Sequence, residues 1–178
     1  MPKFLRVASL TLLTLSLTAL TAEAQNPQTR EGFWFSLGLG YGSATCSDGC
    51  SSEDGFSGNL AMGGTLNQKV LLGGGTNGWT KSQNGATITL SSLDAIIRFY
   101  PSATGGFFLN GGLGLGMARA SYGGASNSES GFAMLLGLGY DFRVGKNISL
   151  TPFLNGFGFS TSSTTWSVGQ IGLGITSH

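Results

Sequence analysis

The stretch that decides the fold is GFAMLLGLGYDFRV, residues 131–144. Its even positions are Phe132, Met134, Leu136, Leu138, Tyr140, Phe142 and Val144, all apolar or amphipathic. Its odd positions are Gly131, Ala133, Leu135, Gly137, Gly139, Asp141 and Arg143, mostly small and then charged. A period of two over such a length predicts a β-strand, because successive side chains point to opposite faces of a sheet. At a rise of about 3.3 Å per residue it is longer than the usual strand of about 5–6 residues. A soluble sandwich strand would show water bulky polar side chains. Here the bulky face is wholly apolar and the other is narrow and polar, which fits a strand with lipid on one side and a tight barrel interior on the other.

Composition supports that class. Gly accounts for 31 of 178 residues and charged residues for 10%, against about 25% in ordinary soluble domains. Low charge and abundant Gly could signal disorder, but disordered chains are poor in apolar residues, and here these make up 40%. A Gly-rich soluble β-domain is the bland alternative.

Residues 1–24 are set apart from the fold. Lys3 and Arg6 make a positive start, residues 7–20 are rich in Leu and Thr and uncharged, and Ala22-Glu23-Ala24 forms a small-x-small cleavage site. This predicts a secretory signal peptide over 1–24 and a mature barrel domain over 25–178. The uncharged run is shorter than the roughly 20 residues a membrane-spanning helix needs, and no later segment supplies such a run. Without residues 1–24 the chain carries seven basic and seven acidic residues. A neutral chain gives no reason to expect a nucleic-acid partner.

Alternation elsewhere predicts seven more strands. The run 32–42 sets Phe33, Phe35, Leu37, Leu39 and Tyr41 against Trp34, Ser36 and three glycines. Runs follow at 56–66, 69–80, 86–100 and 106–120, then the opening stretch, then 148–159 and 165–176. The faces of the third are blurred by Gly73-Gly74-Gly75, and Ile88 and Leu90 stand on the opposite parity to Leu93, Ala95, Ile97 and Phe99. A bulge or a polar extension beyond the membrane would account for that switch. Pro152 would demote an ordinary strand, but is tolerated at a bulge or an unpaired position near a barrel rim. Tight turns are expected after strands two, four and six, and longer polar breaks after the odd ones, including a Gly/Ser/Asn-rich loop at 121–130. An even number of antiparallel strands can close, and lipid tolerates no open sheet edge. The expected fold is an all-β, eight-stranded, antiparallel up-and-down transmembrane barrel, with an interior just wide enough for side chains to fill.

Two constellations could carry chemistry. Cys46 and Cys50 flank three residues of the first polar break. In an oxidising compartment they predict a disulfide, since a metal site would need further ligands and no His lies nearby. Asp94, Arg98, Asp141 and Arg143 fall on inward positions. Charges in a low-dielectric interior need partners, so a salt-bridge network is expected, with a polar passage lined by the same groups as the alternative. The aromatics Phe33, Trp34, Phe35, Tyr41, Trp79, Tyr100, Phe107, Tyr140 and Trp166 lie near strand ends and predict an interfacial girdle.

Residues 99–101 (Phe-Tyr-Pro), GGFFLNGGLGLG, GLGYDFRVGKNISLTPFLN and the terminal QIGLGITSH together resemble the eight-stranded outer-membrane barrels of the OmpA/OmpX type from Gram-negative bacteria. The resemblance implies an outer-membrane location, surrounding membrane lipids, and barrel assembly machinery and periplasmic chaperones as partners during biogenesis. It also implies a monomer. Gln170, Gly172 and Ile175 match the terminal assembly signal of such barrels, while Ser177 stands where an aromatic is usual and His178 follows. Some small barrels of this architecture modify lipids through a His base acting with a Ser or an acid. His178 is the single His, and at the chain end it is expected to be poorly oriented. The expectation is therefore a non-enzymatic barrel without catalytic residues, metal or cofactor. It would support envelope integrity or surface interaction through its loops, with a porin-like passive channel as the alternative.

Overall fold

The computed structural model describes residues 29–47 and 49–178. The predicted signal peptide lies outside the described residues. Eight staves form the barrel: β1 (Phe33–Cys46), β2 (Glu53–Asn67), β3 (Val70–Gln83), β4 (Ala86–Phe99), β5 (Phe107–Tyr122), β6 (Ala125–Tyr140, continued by Phe142–Arg143), β7 (Ile148–Ser160) and β8 (Thr165–Ser177). Each pairs antiparallel with its sequence neighbours. The sheet closes where β1 pairs with β8, Leu37 opposite Ile175 and Tyr41 opposite Ile171. Closure leaves no stave without a partner on either side, as lipid demands.

The alternation sorts the side chains as a membrane barrel requires. Leu37, Leu39, Leu93, Leu115, Phe132, Leu136, Leu154 and Ile171 are all exposed and project outward from six of the staves, and Met62 and Leu72 carry the belt across β2 and β3. A continuous apolar belt of this extent has no stable place in water. Phe33, Phe99, Phe107 and Phe142 flank it at the end where the described chain enters and leaves, and the cross-strand pair Tyr41–Phe56 flanks it at the other. Trp34, Trp79 and Tyr100 correct the expected girdle. They face inward and are buried, and Trp166 also turns inward against the buried cluster, so strand-end position alone did not reveal their facing.

Glycines on the inward face make room for rings. A Cβ at Gly116 would clash with Phe159, at Gly139 with Phe108, and at Gly38 or Gly172 with Phe153. The third strand resolves in the same way: Leu71, Asn77 and Trp79 point inward, with Gly73 and Gly75 on the same face. In β4 the register runs unbroken against both neighbours, so there is no bulge. Leu90 is fully buried inside, while Thr87, Thr89 and Ser91 take the outward positions. The first part of the strand, residues 86–91, is a polar extension above the belt.

Pro152 explains why β6 is split. Its ladder with β7 runs from Phe132 opposite Ser160 to Gly139 opposite Phe153, and resumes in the same register at Phe142 opposite Leu150. That register sets Pro152 against Tyr140. Val144 donates its N–H to Ile148 O, so even-numbered β6 positions are the hydrogen-bonding ones, and Pro152 has no N–H to give Tyr140. The β5 side is undisturbed, with Asp141 N–H bonded to Gly106 O at 2.9 Å.

The connections depart from the expected alternation. Residues 121–130 are not a loop: β5 and β6 run on as a paired hairpin to a turn at Gly123-Gly124, both with positive φ. The β3–β4 connection is likewise an Asn84-Gly85 turn, with φ of 51° and 78°, the left-handed pair a tight hairpin turn needs. At the opposite end, residues 100–106 form a longer link than either. Ser/Asn/Gly composition read as loop because both faces of these hairpin tips are exposed, which erases alternation.

Candidate functional site

The interior divides into layers. At the end where the chain enters, Arg30 is fully buried and its guanidinium lies 3.4 Å from the centre of the Tyr100 ring. Arg30 donates to Gln68 O at 3.2 Å, to Ala103 O at 3.1 Å and to Gly105 O. One side chain thereby ties the β2–β3 turn to the β4–β5 link. Tyr100 donates to Asp141 Oδ2 at 2.7 Å, Thr151 donates to Asp141 Oδ1 at 2.7 Å, and the Thr151, Thr176 and Ser36 hydroxyls continue the network at 2.9 and 3.0 Å. Burial pushes the Tyr100 phenol well above its ordinary range, which keeps it a donor.

His178 corrects the expectation of a loosely held terminal ring. Its side chain is buried, its Nε2 lies 3.2 Å from Asp141 Oδ2, and its backbone N–H bonds Asn147 O. Burial lowers its pKa, with the Asp141 carboxylate opposing the shift. Its Nδ1 meets no partner among the described residues. The arrangement ties the last strand to Asp141 and to the 144–147 turn.

Of the four inward charges, Arg98 and Arg143 each lie close enough to Asp141 to act on its charge, while Asp94 finds its partners elsewhere. Arg98 bonds Asn110 Oδ1 through Nε at 2.9 Å and stacks between Trp34 and Phe108, at 4.9 and 4.2 Å. Arg143 donates to Lys146 O and Thr29 O, each at 3.1 Å. Asp94 accepts from Ser92 Oγ at 2.6 Å and Asn77 Nδ2 at 3.2 Å, and Gln170 donates to Asn77 Oδ1 at 3.0 Å. All four point into the barrel, yet no ion pair among the described residues joins any two of them. These hydrogen bonds and ring contacts go to uncharged side chains, aromatic rings and backbone carbonyls, and Arg98 and Arg143 reach Asp141 through space. Composition could not show this, because Asn, Thr and Tyr carry no sign to match.

Above Asp94 the interior turns apolar: Trp79, Leu90, Phe157, Phe159 and Val168 are buried together. Together with the Arg30–Tyr100 layer they fill the lumen at two levels. At the mouth, Cys46 and Cys50 form a disulfide with Cα atoms 5.4 Å apart. Lys81 pairs with Glu53 across β3 and β2. Between β4–β6 and the 161–164 turn lies a cup of about 210 Å³, lined by Ile88, Ala118, Ala120, Glu129, Ser163 and Trp166 among others. Glu129 accepts from Ser163 Oγ at 2.5 Å.

No protein-family model and no curated protein sequence matches the chain. Solved structures do. Ail, the attachment invasion locus protein of Yersinia pestis, aligns with a TM-score of 0.58 at 20% identity, covering 82% of this chain and 99% of that one. Ail in complex with the heparin analogue sucrose octasulfate aligns at 0.61 and 16% identity, covering 82% and 99%. Neisserial surface protein A aligns at 0.63 and 18% identity, covering 84% and 99%. The chain has the eight-stranded outer-membrane barrel fold of the OmpA/OmpX type.

Proposed function

We propose that this protein is a non-enzymatic integral outer-membrane barrel that supports envelope integrity or surface interaction through the end formed by its hairpin tips and disulfide loop. The observation that carries the reading is the pairing of an unbroken apolar belt with a lumen filled at two levels. A belt commits the outside to lipid; a filled lumen leaves the ends, not the bore, to meet other molecules. Membrane lipids would be its constant partners, with assembly machinery and periplasmic chaperones needed during export, and a monomer suffices because each barrel closes on itself. The end bearing the termini would face the periplasm.

Among the described residues, the hairpin-tip end carries Glu53, Asp54 and Glu129 against Lys81 and Arg119. The heparin analogue in the Ail structure is a polyanion, and this balance of charge gives no comparable attraction here. Refolded protein should migrate differently before and after boiling on a denaturing gel, and should insert into lipid vesicles. A chain that stays soluble in the periplasm would overturn the reading. Planar-bilayer recording addresses the interior: the filled lumen predicts no reproducible conducting steps, and steady unitary currents would favour a passive channel instead.

A further inference from the structure

The mouth cup combines features that the barrel itself does not require. Ile88 and Ala120 sit above the lipid belt yet face inward, and Ile88 remains 38% exposed. Apolar side chains there form a dry wall open to solvent. Trp166 lies on the cup and packs against the buried cluster beneath it, beside Ala118. The polar side of the cup is made by Asn127, Ser128, Thr164 and a carboxylate, Glu129, steadied by the Ser163 hydroxyl.

The charge of that carboxylate is not neutralised by the residues around it. Glu53 at the same mouth is paired with Lys81, whereas Glu129 forms no ion pair among the described residues. Arg119 borders the cup through β5, but alternation places its guanidinium on the outer face, where it reaches Ser126 Oγ at 3.5 Å. A single anionic group beside an indole, in a cup with alkyl walls, suits a cation that carries carbon. Aromatic rings attract ammonium groups, and a carboxylate held by hydroxyls adds charge complementarity. A volume of about 210 Å³ admits a few heavy atoms, smaller than the usual drug-sized site.

We propose that this cup binds the alkylammonium group of a small organic amine. Access from outside the cell rests on the proposed orientation of the barrel; binding to the cup does not. The test uses the full barrel in a non-ionic detergent, since many zwitterionic ones carry quaternary ammonium heads. Butylammonium chloride is titrated against sodium chloride at equal ionic strength, read by tryptophan fluorescence and by ligand-detected NMR. The expected result is saturable butylammonium binding that Glu129→Gln weakens about tenfold or more, and that Glu53→Gln leaves unchanged. Trp166→Phe should weaken it as well by the NMR readout. A short peptide with one central lysine distinguishes the sources: tighter binding assigns a protein side chain as ligand, equal or weaker binding a free amine. Each variant is first checked for the gel shift of a closed barrel. A shifted barrel that binds sodium and butylammonium alike, or whose binding survives Glu129→Gln, overturns the cup and leaves the membrane reading standing. A chain that never shifts overturns the membrane reading instead.

Discussion

Arg30 lies flat against Tyr100, 3.4 Å from the ring centre, and through that contact the segment entering the barrel becomes part of its floor. The same guanidinium bonds three carbonyls from two different connections. Arg30→Ala removes the stacking and leaves those carbonyls short of donors. Hydrogen bonds to charged groups are worth about 1.5–3 kcal/mol each where partners are buried. The variant should unfold at lower urea in detergent, by about 2–4 kcal/mol once solvent re-entry is allowed for. Arg30→Lys should recover little, because an ammonium cannot form the fork or the flat stack.

Inward glycines set the second prediction. Gly116→Val drives two methyl groups into the Phe159 ring, and Gly139→Val does the same to Phe108. Overpacking of this kind costs about 1–3 kcal/mol. Gly78→Ala adds its methyl where nothing lies within 4 Å and should leave the unfolding midpoint unchanged. Equal loss at all three positions would mean that ring packing does not decide.

Pro152→Ala tests the split stave. The new N–H faces the Tyr140 carbonyl and adds a hydrogen bond worth about 1 kcal/mol. The loss of Pro frees the unfolded chain by about 0.4–1 kcal/mol, in the opposite sense. The two nearly cancel, so global stability should barely move. Hydrogen exchange should instead show a protected amide at 152.

Acidification acts through His178. Burial holds its folded-state pKa below the ordinary 6.5, against the pull of Asp141. The folded barrel therefore prefers the neutral ring. Its contribution is complete above about pH 6.5 and is lost as pH falls toward the folded-state value, because the unfolded chain takes up the proton first. Urea midpoints should fall over that window, and His178→Gln should flatten this part of the profile. A wild-type profile that rises on acidification would contradict the sign.

Much of this architecture was legible because lipid imposes a simple rule on alternate residues. Residues 131–144 showed the rule in full, and the facing of Leu93, Asp94 and Arg98 followed from it. The rule lapses where neither face meets lipid. Ser126 and Ser128 are exposed strand residues that read as loop, and Thr89 and Ser91 sit outside on β4 where the belt has ended. The interior was half legible: inward position followed from parity, but partner choice did not. Asp94 met Asn77 and Ser92 rather than an arginine, and Arg98 met rings, because barrel closure juxtaposes residues such as Asn77 and Gln170 that sequence separates widely. His178 was misjudged for the same reason. A chain end is held firmly when the last strand closes the sheet.

The height of the β5–β6 hairpin has a consequence for how the molecule could be used. Its strands have 16 residues each, about 50 Å of backbone at a rise of about 3.3 Å per residue, and they tilt across an apolar band about 25 Å tall. The excess stands clear of the bilayer as paired, stiff ribbon. A foreign peptide spliced between Gly123 and Gly124 would be raised above the lipid headgroups on a stalk, which in the proposed orientation makes that turn a port for surface display.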